Sequence, residues 1–254
     1  MTRISVELVP RNAEAIQEET GLLKENYDCI DLINVPDLLR YDVHSWEGAV
    51  LAKQHYPVAM PHIRAIDIDL EKPLPMADYL KDHQIQEVLV ITGDPPQDMS
   101  HKIYPTVSTD VIRKFREELP DIRVYAGIDQ YRSSMRDEIY QIRRKIQAGA
   151  CGFFTQPFFD LRYLEIYAEI LSSVNPEMDI YWGISPVTSE RSVNYWETKN
   201  KVVFPKEFQP TLDWNIDFGR RVLEFVQKNN TNIYLMPIKA NLLAYLNGVF
   251  AKNC

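Results

Sequence analysis

The chain has 254 residues, of which 45% are hydrophobic and 25% are charged, and its formal net charge is -8 at pH 7. This composition is that of an ordinary globular protein, long enough for two small domains or one large α/β barrel, and it excludes a disordered chain. The negative charge argues against a nucleic-acid surface, and no apolar stretch approaches the roughly 20 residues that cross a bilayer. Three scattered cysteines without a Cys-x-x-Cys pair favour neither a disulfide framework nor a zinc site, so we expect a reducing, cytoplasmic location.

Short apolar segments rich in Val, Ile and aromatic residues alternate with longer amphipathic segments along the chain. Eight strands are predicted, each bounded by Pro, Gly, Asp or Asn, at residues 4–9, 29–34, 58–66, 88–93, 122–129, 152–156, 180–187 and 233–239. Amphipathic helices are predicted between them, the longest over residues 211–229. Ser108 is expected to be the N-cap of the helix that Pro120 closes.

Strands that alternate with crossover helices predict a parallel sheet, and eight such units in about 250 residues are the length of a (β/α)8 barrel. We therefore predict a single (β/α)8 TIM barrel over residues 1–254, with no linker that would divide the chain. The alternative is a doubly wound open sheet. Its usual Gly-x-Gly-x-x-Gly turn is missing, because the first predicted strand leads into Pro10-Arg11-Asn12.

Polar residues stand at the ends of several predicted strands. The most informative is Asp94 in Gly93-Asp94-Pro95-Pro96, directly after an apolar run, where the following proline biases Asp94 toward an extended backbone. Similar positions are held by Glu7, His62, Asp129 and Gln156. Because the C-terminal ends of barrel strands meet on one face, this ring of polar side chains predicts an active site.

Six motifs occur in register with the predicted strands. They are Ser5-Val6-Glu7, Pro61-His62, Gly93-Asp94-Pro95-Pro96, Lys145-Ile146-Gln147-Ala148-Gly149-Ala150, Thr155-Gln156-Pro157-Phe158-Phe159-Asp160 and Gly183-Ile184-Ser185-Pro186-Val187. In this order, over almost the whole chain, they resemble the methylenetetrahydrofolate reductase family. The resemblance implies a barrel that reduces 5,10-methylenetetrahydrofolate to 5-methyltetrahydrofolate, with FAD as cofactor and NADH or NADPH as electron donor.

The resemblance also implies roles for individual residues. Glu7 matches the general acid that protonates N10 of the substrate and helps to open its imidazolidine ring. Asp94 matches a catalytic carboxylate near the flavin and the pterin, and Gln156 matches the amide that binds the pterin. His62 and Lys145 match flavin-contacting positions. By position, Gly93, Asp129 and Tyr131 are assigned to the cofactor and Lys239, where an arginine is frequent, to the substrate.

The residue types fit this chemistry without the family name. Glu7 lies between Val6 and Leu8, so burial should raise the pKa of its carboxyl toward a value useful for proton donation near neutral pH. Gln156 and Asp94 offer the donors and acceptors that the edge of a pterin requires. Hydride transfer requires a cofactor, because no side chain supplies a hydride.

Several positions depart from the family pattern, mainly on its flavin side. Thr92 stands where an arginine is usual, and Gly127 and Tyr131 stand where an aromatic residue and a histidine are usual. These departures leave open a flavin-free or non-redox barrel that binds a folate or pterin, as a one-carbon transfer enzyme or a partner subunit. Structural roles also stay open for Asp94 as a turn former and His62 as a packed rim residue. Assembly into a homo-oligomer or a one-carbon enzyme complex is an expectation from the family alone.

Overall fold

The structure is a computed structural model, and it describes residues 2–96, 101–238 and 240–250. Within these ranges the strands are β1 Ile4–Glu7, β2 Leu32–Val35, β3 Val58–Arg64, β4 Glu87–Ile91, β5 Arg123–Ile128, β6 Gly152–Thr155, β7 Asp179–Ile184 and β8 Asn232–Leu235. Neighbouring strands are parallel, and β8 pairs with β1, which closes the sheet. The predicted (β/α)8 barrel is confirmed, and the open-sheet alternative is wrong.

Helices surround the barrel and follow the strands in alternation. Those in the described ranges are α1 Ala13–Asn26, α2 Ser45–Ala52, α3 Ala77–Asp82, α4 Ser108–Glu118, α5 Met135–Ala148, α6 Leu161–Val174, α7 Glu190–Asn200, α8 Leu212–Asn229 and α9 Leu242–Phe250, with a 3₁₀ turn at Ala65–Asp67. The prediction of Ser108 as N-cap is wrong by one residue. Val107 precedes the helix, and its backbone N–H donates to the Asp110 carboxylate at 3.3 Å. No helix within the described residues is long and apolar enough to span a membrane.

Two apolar cores result from the alternation of side chains along the strands. Residues that point outward, such as Val6 and Ile233, pack against the helices in the larger core. Residues that point inward fill the barrel with a smaller cluster of Leu32, Met60, Leu89, Tyr125, Phe154, Tyr181, Tyr234 and Met236. Side chains therefore fill the interior of the barrel, so that a ligand has access at the ends of the barrel only.

Ion pairs close the N-terminal end of the barrel. Glu87, the first residue of β4, lies 3.2 Å from a guanidinium nitrogen of Arg3 and 3.2 Å from one of Arg123. Arg123 also contacts Asp179, the first residue of β7, at 2.8 Å. Positive and negative groups alternate through this network, so the buried carboxylate of Glu87 is compensated on both sides.

The two cysteines among the described residues differ in state. Cys151 is a free thiol, whereas Cys29 is disulfide-bonded.

Candidate active site

Glu7 ends β1 inside the barrel, where it is only 9% exposed. The Tyr234 hydroxyl donates a hydrogen bond to its Oε2. Burial raises the pKa of the Glu7 carboxyl to about 7, and the hydrogen bond from Tyr234 opposes part of that rise. The predicted rise in pKa is confirmed. A large fraction of the molecules therefore holds this acid protonated at neutral pH, as a proton donor must be.

His62 belongs to a chain of buried neutral groups that reaches β1 through Asn34 and Ser5. Its Nε2 is 3.0 Å from Oδ1 of Asn34, and the Asn34 amide donates to the Ser5 hydroxyl at 2.6 Å. Because an amide oxygen only accepts, Nε2 carries the hydrogen and the tautomer of His62 is fixed. Burial lowers the pKa of His62 to about 3, so the ring is uncharged. Asn34 is also the register partner of Glu7, and it links the two predicted residues.

Asp94 lies on the loop after β4, and its side chain is 91% exposed. One carboxylate oxygen is 3.9 Å from the guanidinium of Arg132, which also approaches the Asp129 carboxylate at 3.5 Å. Two of the predicted site residues thus share one exposed cation at the rim. Their carboxylates remain accessible to a ligand.

The backbone of this loop is held from inside the barrel by Arg64. Its guanidinium donates to the Asp94 carbonyl at 2.7 Å and to the Asp67 carboxylate at 2.7 Å. Gly93 precedes Asp94 with φ of +84°, and a Cβ there would lie 3.1 Å from Cβ of Arg64. The left-handed backbone and the close approach both require glycine. Loop geometry therefore explains Gly93, whereas only the backbone of Asp94 is held and its side chain is exposed.

Gln156 directly follows β6 on the same face of the barrel, and its side chain is exposed. Its backbone N–H donates to Ile128 at 2.8 Å, and its carbonyl accepts from the Gln130 side chain at 2.8 Å. The main chain is fixed on both sides, while the side-chain amide has no hydrogen-bond partner among the described residues and is accessible to a ligand. This geometry is compatible with the predicted role in binding.

Two residues assigned to the cofactor, Tyr131 and Lys145, form hydrogen bonds to backbone carbonyls of the chain. The Tyr131 hydroxyl donates to the Pro157 carbonyl at 3.0 Å. Lys145 donates to the Gly127 carbonyl at 2.6 Å and lies 3.9 Å from Glu138, in the layer between α5 and β5. Burial lowers the pKa of Lys145, and the Glu138 carboxylate opposes that change. Lys145 is therefore remote from the interior groups around Glu7.

The described residues fit FAD only in part. Asp94 and Asp129 present accessible carboxylates, although one oxygen of Asp129 accepts from the Tyr131 backbone at 3.2 Å. The polar side-chain groups of His62, Tyr131 and Lys145 instead form hydrogen bonds within the chain. Lys239, assigned to the substrate, lies outside the described residues. Three of the side chains expected to contact the cofactor thus already form at least one hydrogen bond within the chain.

Sequence reasoning missed two residues of this site, Tyr234 and Arg64. A signal for Tyr234 existed, since it alternates with the outward-facing Ile233 and Leu235 and must point into the barrel. Closure of the barrel then places it beside β1. Arg64 stands two residues after His62 on the same face of β3, and its partner Asp94 is 30 positions away in the chain. Only the folded loop reveals that contact.

Comparison with known proteins gives a consistent family. A sequence model of the family described as methylenetetrahydrofolate reductase matches residues 44–219, which is more than half of the chain. The 5,10-methylenetetrahydrofolate reductase of Buchnera aphidicola subsp. Schizaphis graminum is 22% identical over 147 residues, which are 58% of this chain and 50% of that protein. The enzyme of Escherichia coli strain K12 is 22% identical over 148 residues, with the same two shares. The chain spans about half the length of the curated relatives it matches.

Solved structures share the fold at low identity. A protein from Clostridium thermocellum, described as binding two copies of 5-methyl-5,6,7,8-tetrahydrofolic acid, has a TM-score of 0.64 and 13% identity, covering 98% of this chain and 94% of that one. A 2,3-dimethylmalate lyase has a TM-score of 0.59 and 9% identity, covering 94% of this chain and 75% of that one. At such identities these likenesses support the barrel fold alone.

Proposed function

Because the chain belongs to the methylenetetrahydrofolate reductase family, we propose that it reduces 5,10-methylenetetrahydrofolate, or a closely related one-carbon pterin, to the 5-methyl form. The observation that carries the proposal is Glu7, a buried acid with a pKa of about 7 at the C-terminal end of the barrel. Active sites of (β/α)8 barrels lie at this end. A proton donor that remains protonated at neutral pH is what opening of the imidazolidine ring requires.

The chemistry assigned to the chain is a proton transfer. The O–H bond of the Glu7 carboxyl breaks and an N–H bond forms at N10 of the substrate, while the C–N bond to N10 breaks and an iminium carbon is exposed. Asp94 and Asp129 would hold FAD if it binds, and that cofactor would supply the hydride, taken from NADH or NADPH, that completes the 5-methyl group. Asp94 and Gln156, and Lys239 by position, are proposed to bind the pterin and the rest of the folate.

The second candidate is a barrel that binds a folate or pterin without redox chemistry. It is favoured by the internal hydrogen bonds of His62, Tyr131 and Lys145, which occupy side chains assigned to the cofactor. It is also in keeping with the structural neighbour described as binding 5-methyl-5,6,7,8-tetrahydrofolic acid. A reductase that uses the nicotinamide donor directly, without flavin, agrees with the same observation.

The organisation of the protein around this site is also proposed. We propose a single domain over residues 1–254 and a cytoplasmic location. We further propose a small-molecule folate partner, with no nucleic-acid or membrane partner, and assembly as a homo-oligomer or as a subunit of a one-carbon enzyme complex. Size-exclusion chromatography with light scattering tests the assembly.

The proposed reaction is tested by supplying purified protein with 5,10-methylenetetrahydrofolate and NADH or NADPH, with and without FAD, and measuring 5-methyltetrahydrofolate. We expect product from the wild-type protein and a loss of about 10²- to 10⁴-fold in Glu7→Gln, since general acid catalysis contributes that much. Glu224→Gln, at an exposed position of α8, is the matched control and should keep full activity.

Each result separates the candidates. Product that requires added FAD supports the flavin route, and product without FAD supports direct hydride transfer. Tetrahydrofolate binding without product under any condition supports the non-redox barrel. Equal activity of Glu7→Gln and the wild-type protein would contradict the assigned acid.

A further inference from the structure

The hydroxyl of Tyr234 is the direct hydrogen-bonding partner of Glu7. Tyr234 belongs to the last strand and Glu7 to the first, and the two strands pair in the closed barrel with Val6 opposite Leu235. Both side chains lie within the barrel, where Tyr234 is 3% exposed. Burial and the neighbouring Glu7 carboxyl raise the pKa of Tyr234, so its hydroxyl keeps its proton and acts as the donor.

The position of this hydroxyl is set by ring packing. The Tyr234 ring meets the edge of Phe154 at a centroid distance of 5.1 Å, and Phe154 stacks on Tyr181 at 4.1 Å. A ring packed between such neighbours has little freedom to rotate its hydroxyl away. Tyr181 provides an internal contrast, because its hydroxyl is buried and has no hydrogen-bond partner among the described residues.

Tyr234 distinguishes the two oxygens of Glu7. Its O–H occupies Oε2 as a donor, so a proton on the carboxyl is placed on Oε1, which no described residue bonds. When that proton leaves, the negative charge formed on Glu7 strengthens the hydrogen bond from Tyr234, because hydrogen bonds to ionised groups are roughly twice as strong. The contact therefore stabilises the product of proton transfer more than the reactant.

We propose that Tyr234 is a positioning residue for Glu7, whose hydroxyl holds Oε2 so that Oε1 delivers the proton to the substrate nitrogen. This inference rests on the proposed function, since it assigns Tyr234 to that reaction. The donated proton comes from the Oε1–H bond and ends in the new N–H bond, while Tyr234 keeps its own proton throughout.

Among the described residues, the polar groups near Glu7 on its own strand and on β2 and β3 are uncharged, apart from the ion-paired Arg64. Ser5 and Asn34 do not titrate, and His62 remains neutral above a pKa of about 3. Arg64, farther along β3, is paired with Asp67. His44, in the segment after β2 at the same end, has its pKa raised by its hydrogen bond to Asp37, so the infrared band assigned to Glu7 is the readout that reports the pair of Glu7 and Tyr234.

The test compares Tyr234→Phe with Tyr181→Phe. The second variant removes, from a neighbouring interior ring, a hydroxyl that has no hydrogen-bond partner among the described residues. One readout is the pH profile of 5-methyltetrahydrofolate formation. The other, independent of turnover, is the infrared carbonyl band of protonated Glu7, assigned by its absence in Glu7→Gln.

In Tyr234→Phe we expect the alkaline limb of the rate profile and the midpoint of the infrared titration both to rise by about one pH unit, because a hydrogen bond to the ionised form of Glu7 is lost. We also expect kcat to fall about tenfold with KM nearly unchanged.

Tyr181→Phe should match the wild-type protein in every readout. If Tyr234→Phe keeps the wild-type kcat, or keeps both pH midpoints, the proposal is overturned. Failure of the proposed function is a distinct result, in which the wild-type protein forms no product. That result removes the catalytic role of Tyr234 as well, whereas a shifted infrared midpoint in Tyr234→Phe would still establish that Tyr234 controls the ionisation of Glu7.

Discussion

The two ends of the barrel hold their buried polar groups in opposite ways. At the N-terminal end, the Glu87 carboxylate lies between the guanidinium groups of Arg3 and Arg123. At the C-terminal end, Glu7 has the neutral partner Tyr234, and His62 has the neutral partner Asn34. The strands thus hold Glu87 in paired ions at the N-terminal end, whereas at the C-terminal end Glu7 and His62 are uncharged and the buried ion pair is the separate one of Arg64 with Asp67.

The difference follows from the cost of burying charge. An ion removed from water is tolerated when an opposite charge and hydrogen bonds compensate it, and otherwise the group takes its neutral form. Burial alone therefore raises the pKa of Glu7 and lowers that of His62, toward the uncharged form in each case. The N-terminal end contributes to stability, whereas the C-terminal end keeps an acid able to give up a proton near pH 7.

The largest expected effect concerns His62 in acid. Its pKa in the folded protein is about 3, below its ordinary value of 6.5, so the unfolded chain binds a proton first and stability falls as the pH drops from 6.5 toward 3. Relative to wild type, His62→Gln should gain about 3 kcal/mol in unfolding free energy between pH 7 and pH 4. Urea unfolding at both pH values measures this change. An unchanged difference between the two proteins would show that His62 is not held neutral.

Glu7 should show the opposite slope. Its folded-state pKa of about 7 lies above the ordinary 4.5, so the unfolded chain loses the proton first and stability falls as the pH rises from 4.5 through 7. Relative to wild type, Glu7→Gln should gain about 2.5 kcal/mol between pH 5 and pH 8 while losing activity. The same urea experiment measures it. A variant that is less stable than wild type by an equal amount at both pH values contradicts the raised pKa.

Glu87→Gln tests the N-terminal end, where charges are paired. Removal of the carboxylate takes away the ion pair of Arg3 with Glu87 and leaves Arg123 paired with Asp179 alone, in a partly buried network. Because Arg123 is half exposed, we expect a loss of about 2 kcal/mol, below the range for fully buried pairs. The rate of product formation per folded molecule should be unchanged. A large loss of kcat without loss of stability would show that the two ends are not separate in function.

The smallest effect is expected for an ion pair on the surface. Arg162 contacts Glu165 at 3.2 Å and Glu169 at 3.6 Å on α6, and its side chain is 67% exposed. Arg162→Gln should change the unfolding free energy by less than about 0.5 kcal/mol, since solvent screens exposed pairs. Thermal unfolding of Arg162→Gln and of Glu87→Gln measures the two losses of stability side by side. Equal losses would show that burial at the end of the barrel adds nothing to the contribution of an ion pair.

The fold was predictable because each strand carries its own local signal. Apolar runs at residues 88–91 and 124–128 are bounded by polar or turn residues, and eight of them in alternation with helices define the barrel. Strand ends were less predictable. β3 ends at Arg64 because a 3₁₀ turn follows at Ala65–Asp67, and β7 ends at Ile184, three residues before the predicted end. Such ends depend on loop contacts that no local pattern encodes.

The site was predictable only where burial could be inferred from immediate neighbours. The raised pKa of Glu7 followed from Val6 and Leu8 on either side of it. Its partner Tyr234 lies 227 positions away, and only closure of the barrel brings the two together. Lys145 illustrates the converse, since its motif matches the family while its ammonium group is engaged by Gly127 and Glu138 between α5 and β5.

The most direct test of this account is the titration of the Glu7 carboxyl in the wild-type protein. Carbon-13 NMR of glutamate labelled at the side-chain carboxyl, with the Glu7 resonance assigned by its loss in Glu7→Gln, follows the group between pH 4 and pH 9. We predict a midpoint near pH 7, as expected for a buried acid without a charged partner. A midpoint near the ordinary value of 4.5 would mean that Glu7 is ionised at neutral pH and cannot be the proton donor.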